Sequence, residues 1–351
     1  MKKYGLLVVL LYLIAAFESI MAQSPIYKNL VLEGGGIRGI AYGGALAELN
    51  DRAMLVPIQR VGGTSAGAIQ AALFAVGYSP EEITRITFKT PVQQFTDGRL
   101  FFLGGFSRLI NQFGWYRGEK FRKWLEERLH QKTGTPHITF EQLHNLHTQG
   151  KARDLYVLGT NLTKQEPVVF SYETYPHMKV SDAVRISMSI PLYFRAVFLD
   201  QAGNLVKKPG NRSDVDVMVD GGILANFPIS LFDHPRYMGI PAPDSVKLFN
   251  AQTLGIRLDT DEQIKYDQQG AGLAPYQINN FKDYVRAFYA IVLEGLNRQQ
   301  LAPEDWNRTI SVSTKGYGER IRRLTEKDKD ILLESGRQGV QAFLQKQALK
   351  P

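Results

Sequence analysis

Along this chain, short apolar runs alternate with longer stretches whose apolar positions recur at helical spacing. NLVLE at 29–33 is apolar at its three central positions, as expected of a strand covered on both faces. Residues 38–52 read as a helix, IQRVGG at 58–63 as the next strand, and AGAIQAALFAVG at 66–77 as an apolar helix. Further strands are predicted at 154–161, 166–172, 193–198, 216–220, 251–258 and 308–313, with helices at 118–132, 279–299 and 326–346. Residues 88–116 break this order and are rich in aromatics, Phe101 and Phe102 among them. Two readings of that segment stand side by side: ordinary core, or an apolar cap over a site. The alternation as a whole predicts an α/β fold, a three-layer α/β/α sandwich with a mainly parallel central sheet.

The first 22 residues have a different pattern. Lys2 and Lys3 precede an apolar run at 5–17, and Glu18 to Ala22 lead to Gln23. This is the layout of a secretory signal peptide, with cleavage expected after Ala22. The run is shorter than the ~20 residues of a spanning helix, which argues against an uncleaved anchor. The expectation is a protein exported to a periplasm or beyond, with residues 23–351 forming one domain. Cysteine is absent from the 351 residues, which removes thiol catalysis, disulfides and cysteine-ligated zinc. Cleavage would remove two lysines and one glutamate and take the formal net charge from +8 to +7. Excess base favours anionic lipid surfaces as well as solubility, so contact with a membrane surface is compatible with it. The basic residues are interleaved with acids, as at 118–132, and no basic tract suggests nucleic acid.

The candidate chemistry begins at GGGIRG, residues 34–39, between a strand and a helix. Its glycines satisfy a dinucleotide-binding pattern, but the second strand ends at Gly62-Gly63-Thr64-Ser65 with no carboxylate to hold a ribose. What stands there is Gly63-Thr64-Ser65-Ala66-Gly67, a G-x-S-x-G run in the strand–turn–helix setting of a nucleophile elbow. Ser65 is then a candidate nucleophile, and the N–H groups of Gly35 and Gly36 are candidate donors for a reaction oxyanion. VDGGILANFP at 219–228 ends a strand at Asp220. Asp220 with Gly221 and Gly222 reads either as a strand-end turn or as a carboxylate base for the serine.

GGGIRG, GTSAG and DGG, in that order, resemble the patatin-like phospholipase family. SDAVRISMSIPLYF at 181–194 is similar to the family's block between nucleophile and aspartate, with Ile186 and Ser189 departing from its commonest form. The resemblance implies a Ser65–Asp220 dyad, an oxyanion hole at Gly35 and Gly36, and a supporting arginine at Arg38 beside them. It also implies a calcium-independent lipid acyl hydrolase, with a lipid or other ester as substrate and no cofactor or metal.

Rival readings remain to be tested against it. Ser65, Asp220 and His234 have the chain order of an α/β-hydrolase triad, although His234 sits beside Pro235 in no motif of its own. Glu141, His144 and His147 share part of a helix, but their spacing drifts around it and suits a solvated face better than a metal site. A silent lipid-binding protein of the same fold is the non-enzymatic alternative.

Overall fold

The computed structural model describes residues 26–90, 92–98, 101–207, 212–243, 245–298, 301–318 and 324–349. The candidate leader, residues 1–22, lies outside them. The strands are β1 (Asn29–Leu32), β2 (Arg60–Thr64), β3 (Gly114–Tyr116), β4 (Asp154–Asn161), β5 (Glu166–Phe170), β6 (Leu192–Phe194), β7 (Val197–Leu199), β8 (Asp216–Asp220), β9 (Thr253–Asp259) and β10 (Thr309–Ser313). The helices are α1 (Ala41–Asp51), α2 (Ala66–Ala75), α3 (Pro80–Lys89), α4 (Phe101–Gln112), α5 (Glu119–Thr133), α6 (Phe140–Thr148), α7 (Val180–Ser187), α8 (Pro235–Met238), α9 (Asp261–Gln268), α10 (Phe281–Arg298) and α11 (Glu326–Ala348).

Strands β10, β9, β1, β2 and β4 run parallel in that order, and β5, β8 and β7 add antiparallel pairings beyond β4. The result is an α/β fold around a mixed, mostly parallel sheet, as the alternation predicted. Residues alternate faces along each strand. Leu30 and Leu32 enter the large core under α1, α2 and α11, whereas Val31 joins Tyr156, Phe227, Ile229, Phe232 and Tyr237 on the other face.

One detail of register decides where the chemistry goes. Residues Val157 and Leu158 of β4 pair with both β2 and β5, so those two strands lie on opposite sides of β4. Residues 159–161 pair with both β5 and β8, so β8 shares the side occupied by β2. Strand β2 runs along β4 and β8 runs against it, and their C-terminal ends meet. Thr64 pairs with Leu158 and Asp220 pairs with Gly159, adjacent positions on one strand.

Several expectations need correcting. Residues 88–116 are not irregular throughout: α4 occupies 101–112 and β3 follows it. Its two glycines, Gly104 and Gly105, weaken the helical signal, and Gly105 lies close against Trp115. Residues 193–198 form two short strands in different sheets, β6 paired with β3 and β7 paired with β8. The α3 helix had a legible start: Ser79 accepts from the Glu82 N–H and Glu82 caps the Ser79 N–H, with Pro80 at the first position.

Candidate active site

Ser65 sits between β2 and α2 with φ 50° and ψ −117°, a conformation that non-glycine residues rarely hold. The surrounding packing enforces it. A Cβ on Gly67 would lie 2.3 Å from the Leu32 carbonyl oxygen, so the first turn of α2 can press against β1 only because that residue is glycine. Gly63 faces the backbone of Gly67 in the same cramped turn. The Ser65 N–H donates to Ser187 Oγ at 2.8 Å, which gives the 181–194 block a direct grip on the elbow. Ile186 is buried there against Gly159, and the Ser189 hydroxyl donates to the Arg185 carbonyl at 2.7 Å. Both departures from the family pattern are thus accommodated by packing and a local hydrogen bond.

Ser65 Oγ donates to Asp220 Oδ2 at 2.9 Å. The other carboxylate oxygen accepts from the Gly222 N–H at 2.8 Å, and the Asp220 N–H donates to the Ser189 carbonyl at 3.0 Å. The aspartate is buried, while Ser65 is half-buried and Gly36 exposed, so the pair lies just below the surface. Gly221 packs its backbone on the Leu158 carbonyl, keeping the turn close to β4.

The loop at 34–36 lies beside the serine: a Cβ on Gly34 would be 3.4 Å from that of Ser65. Gly36 has φ 53°, and the N–H groups of Gly35 and Gly36 donate to no other described residue. Arg38 is buried, and its Nε donates to the Gly35 carbonyl at 3.1 Å. The guanidinium therefore holds the loop from below.

Sequence reasoning missed the residues that join these loops. Gly34 donates its N–H to the Asn226 carbonyl at 3.0 Å, and Asn226 Nδ2 donates back to the Gly34 carbonyl at 3.3 Å. Asn226 is in turn held by Asn297 of α10, whose Oδ1 accepts the Asn226 N–H at 2.6 Å and whose Nδ2 donates to the Gly222 carbonyl at 3.2 Å. Beneath the loop, Glu33 accepts from the Leu258 N–H at 2.7 Å and lies 3.6 Å from Arg257, which also pairs with Asp259 and Glu294. Burial pushes the Glu33 carboxyl up to about 8, against the opposing pull of Arg257. Asn226 stands in the quoted VDGGILANFP run, six residues after Asp220. Asn297 and Arg257 carry no local signal.

His234 is at the other end of the sheet. It precedes α8, with its ring 6.2 Å from that of Tyr237, and Tyr237 lies under Arg60, the first residue of β2. Four residues of strand separate Arg60 from Thr64, roughly 13 Å. His144 Nδ1 bonds Asp154 at 2.8 Å, and His147 is 3.6 Å from the same carboxylate, but Glu141 turns to His177 instead. The three residues do not converge on one point. The aromatic segment divides: Phe95 is buried against Phe121, Phe106 is exposed, and the side chains of Phe101 and Phe102 lie outside the described residues.

Comparison with known proteins is consistent with this arrangement. Over 312 residues the chain is 28% identical to an uncharacterized protein of Acanthamoeba polyphaga mimivirus, covering 88% of this chain and 91% of that one. It is 30% identical over 206 residues to a probable lipid hydrolase of Invertebrate iridescent virus 6, covering 58% and 63% of the two chains. In fold it is similar to VipD from Legionella pneumophila, with a TM-score of 0.56 at 18% identity, covering 92% of this chain and 67% of that one. The family model for patatin-like phospholipase matches residues 30–233, which hold both glycine-rich loops and Asp220, and the chain belongs to that family.

Proposed function

We propose that the protein hydrolyses lipid esters in two steps through a Ser65 acyl-enzyme. The observation that carries this is the 2.9 Å hydrogen bond from Ser65 Oγ to Asp220, made by a serine held in a strained turn. Ser65 Oγ attacks the acyl carbonyl carbon while Asp220 takes the hydroxyl proton. The carbonyl oxygen becomes negative next to the Gly35 and Gly36 N–H groups, and the positive end of α2 points at the same space. Collapse of this intermediate expels the alcohol, which receives the proton from Asp220. Water then attacks the acyl group with Asp220 as base, and the acid leaves as the proton returns to Ser65. Arg38 acts by fixing the Gly35 carbonyl, and His234 takes no part.

The membership in a phospholipase family supports a phospholipid or neutral lipid as substrate. The mature form in this reading is residues 23–351, exported after cleavage, and its N-terminus should be Gln23 by mass spectrometry. The deciding experiment compares the native protein with Ser65→Ala on short-chain esters and on phospholipid vesicles. Loss of at least 10³-fold in kcat with both substrates is expected. Retained hydrolysis in the variant would refute the serine mechanism.

A further inference from the structure

The α10 helix is bonded to the site at one end and presents exposed apolar side chains along the rest. Phe281, Tyr284, Phe288 and Ile291 are between 56% and 80% exposed. At 3.6 residues per turn they fall within an arc of about 80°, so they form one apolar stripe roughly 15 Å long. Tyr276 and Ile278, just before the helix, are two more exposed apolar side chains. A lone exposed phenylalanine needs no explanation, but a continuous stripe of this kind marks an interaction surface. The α11 helix shows the usual arrangement, with Leu332, Val340 and Phe343 buried in the core.

Two observations identify what covers the stripe. The first is its attachment. Asn297 lies on roughly the opposite side of α10 and about 9 Å along the axis from Ile291, and it bonds both Gly222 and Asn226 in the loop that follows Asp220. One helix turn earlier Glu294 pairs with Arg257 at 3.1 Å. An object lying on the stripe therefore meets the outer face of the same helix whose opposite face holds the loop after Asp220. The second is charge. The formal net charge, +8 for the whole chain and +7 once two lysines and one glutamate leave with the leader, disfavours a second copy and favours an anionic surface. Tyrosine and phenylalanine together suit the boundary between headgroups and acyl chains, where a ring is buried and a hydroxyl stays wet.

We propose that this stripe docks the protein on the surface of aggregated lipid, with Asn297 tying the docked helix to the loop that carries the base. The proposal rests on the lipid-hydrolase reading for its choice of occupant, and docking adds the route by which substrate reaches the site. Lipid enters from the layer on which α10 lies, without first dissolving as a monomer.

The test separates docking from turnover. In a Ser65→Ala background, Phe288→Ser/Ile291→Ser should weaken co-sedimentation with phosphatidylcholine–phosphatidylglycerol vesicles by at least tenfold. With Ser65 intact, the same pair should lower vesicle hydrolysis by a similar factor and leave kcat/KM on a soluble short-chain ester within twofold. Unchanged vesicle binding would overturn the proposal. A parallel loss of soluble-ester activity would also overturn it, by assigning the stripe to support of the site. A native dimer that the double substitution dissociates, with vesicle binding intact, would make the face an interface between copies instead. If the native protein cleaves no ester yet Ser65→Ala still binds vesicles through the stripe, docking stands and the hydrolase reading falls.

Discussion

The two ends of the central sheet hold similar chemical groups and use them differently. At the C-terminal ends of β1 and β2, a serine hydroxyl meets one aspartate, and the backbone around it is strained and rich in glycine. At the N-terminal ends, aspartates meet full sets of partners. Arg308 gives both terminal nitrogens to Asp233 and also bonds Asp305, while Asp154 takes His144 and has His147 nearby. Among the described residues, histidine and aspartate lie together there, and serine and aspartate lie together at the other end. The ends differ in which carboxylates are held by cations and which is held by a hydroxyl and a backbone N–H beside a strained turn. A list of reactive residue types does not separate the two ends.

This contrast breaks most sharply under paired substitutions. Asp220→Asn is expected to cut kcat by about 10³-fold or more, since the carboxamide cannot accept the serine proton. Its thermal midpoint should stay within a few degrees, as the Gly222 bond survives. Arg308→Ala should do the reverse. It leaves Asp233 and Asp305 buried without their cation, at a cost of about 3–5 kcal/mol in denaturant unfolding. Activity per folded molecule should be unchanged. Equal loss of activity in both variants would mean that the two ends are not separate.

A pH series sharpens the comparison on the stability side of the catalytic end. The Glu33 carboxyl, ordinarily at 4.5, is raised to about 8 in the folded protein, because burial disfavours its charge. The folded state then holds a proton that the unfolded chain has released. Glu33 therefore contributes its full stabilisation below pH 4.5, and this is lost as pH rises through about 8. The decline should be on the order of a few kcal/mol in unfolding free energy, and Glu33→Gln should flatten it. A native curve that rises over this interval and is unchanged in the variant would refute the assignment. The smallest effect is expected from His234→Ala, less than twofold in kcat/KM at any pH. A tenfold loss would restore the triad.

Much of this architecture is legible in the residues. β4 and β8 begin and end where the apolar pattern places them, and α10 and α11 lie within two residues of their expected bounds. The aromatic segment was not legible, because a phenylalanine in a core and one at the surface have the same local signature. Phe95 has Phe121 and Trp124 to pack against, and Phe106 is left facing solvent. The long-range supports of the site were hidden for a related reason. Arg257 reaches Glu33 across 224 positions, and Asn297 reaches Gly222 across 75, by contacts that no periodicity encodes.

The motif resemblance singled out the serine and the aspartate; the sequence by itself determined the alternation of strand and helix and the glycines that permit a tight elbow. Those follow from local sterics and from the period of apolar burial, both written within a few residues of each other. Only the tertiary structure decided that Ser65 and Asp220 meet. Their encounter depends on β2 and β8 approaching end to end along one side of β4, and such a register is set by the packing of the whole sheet.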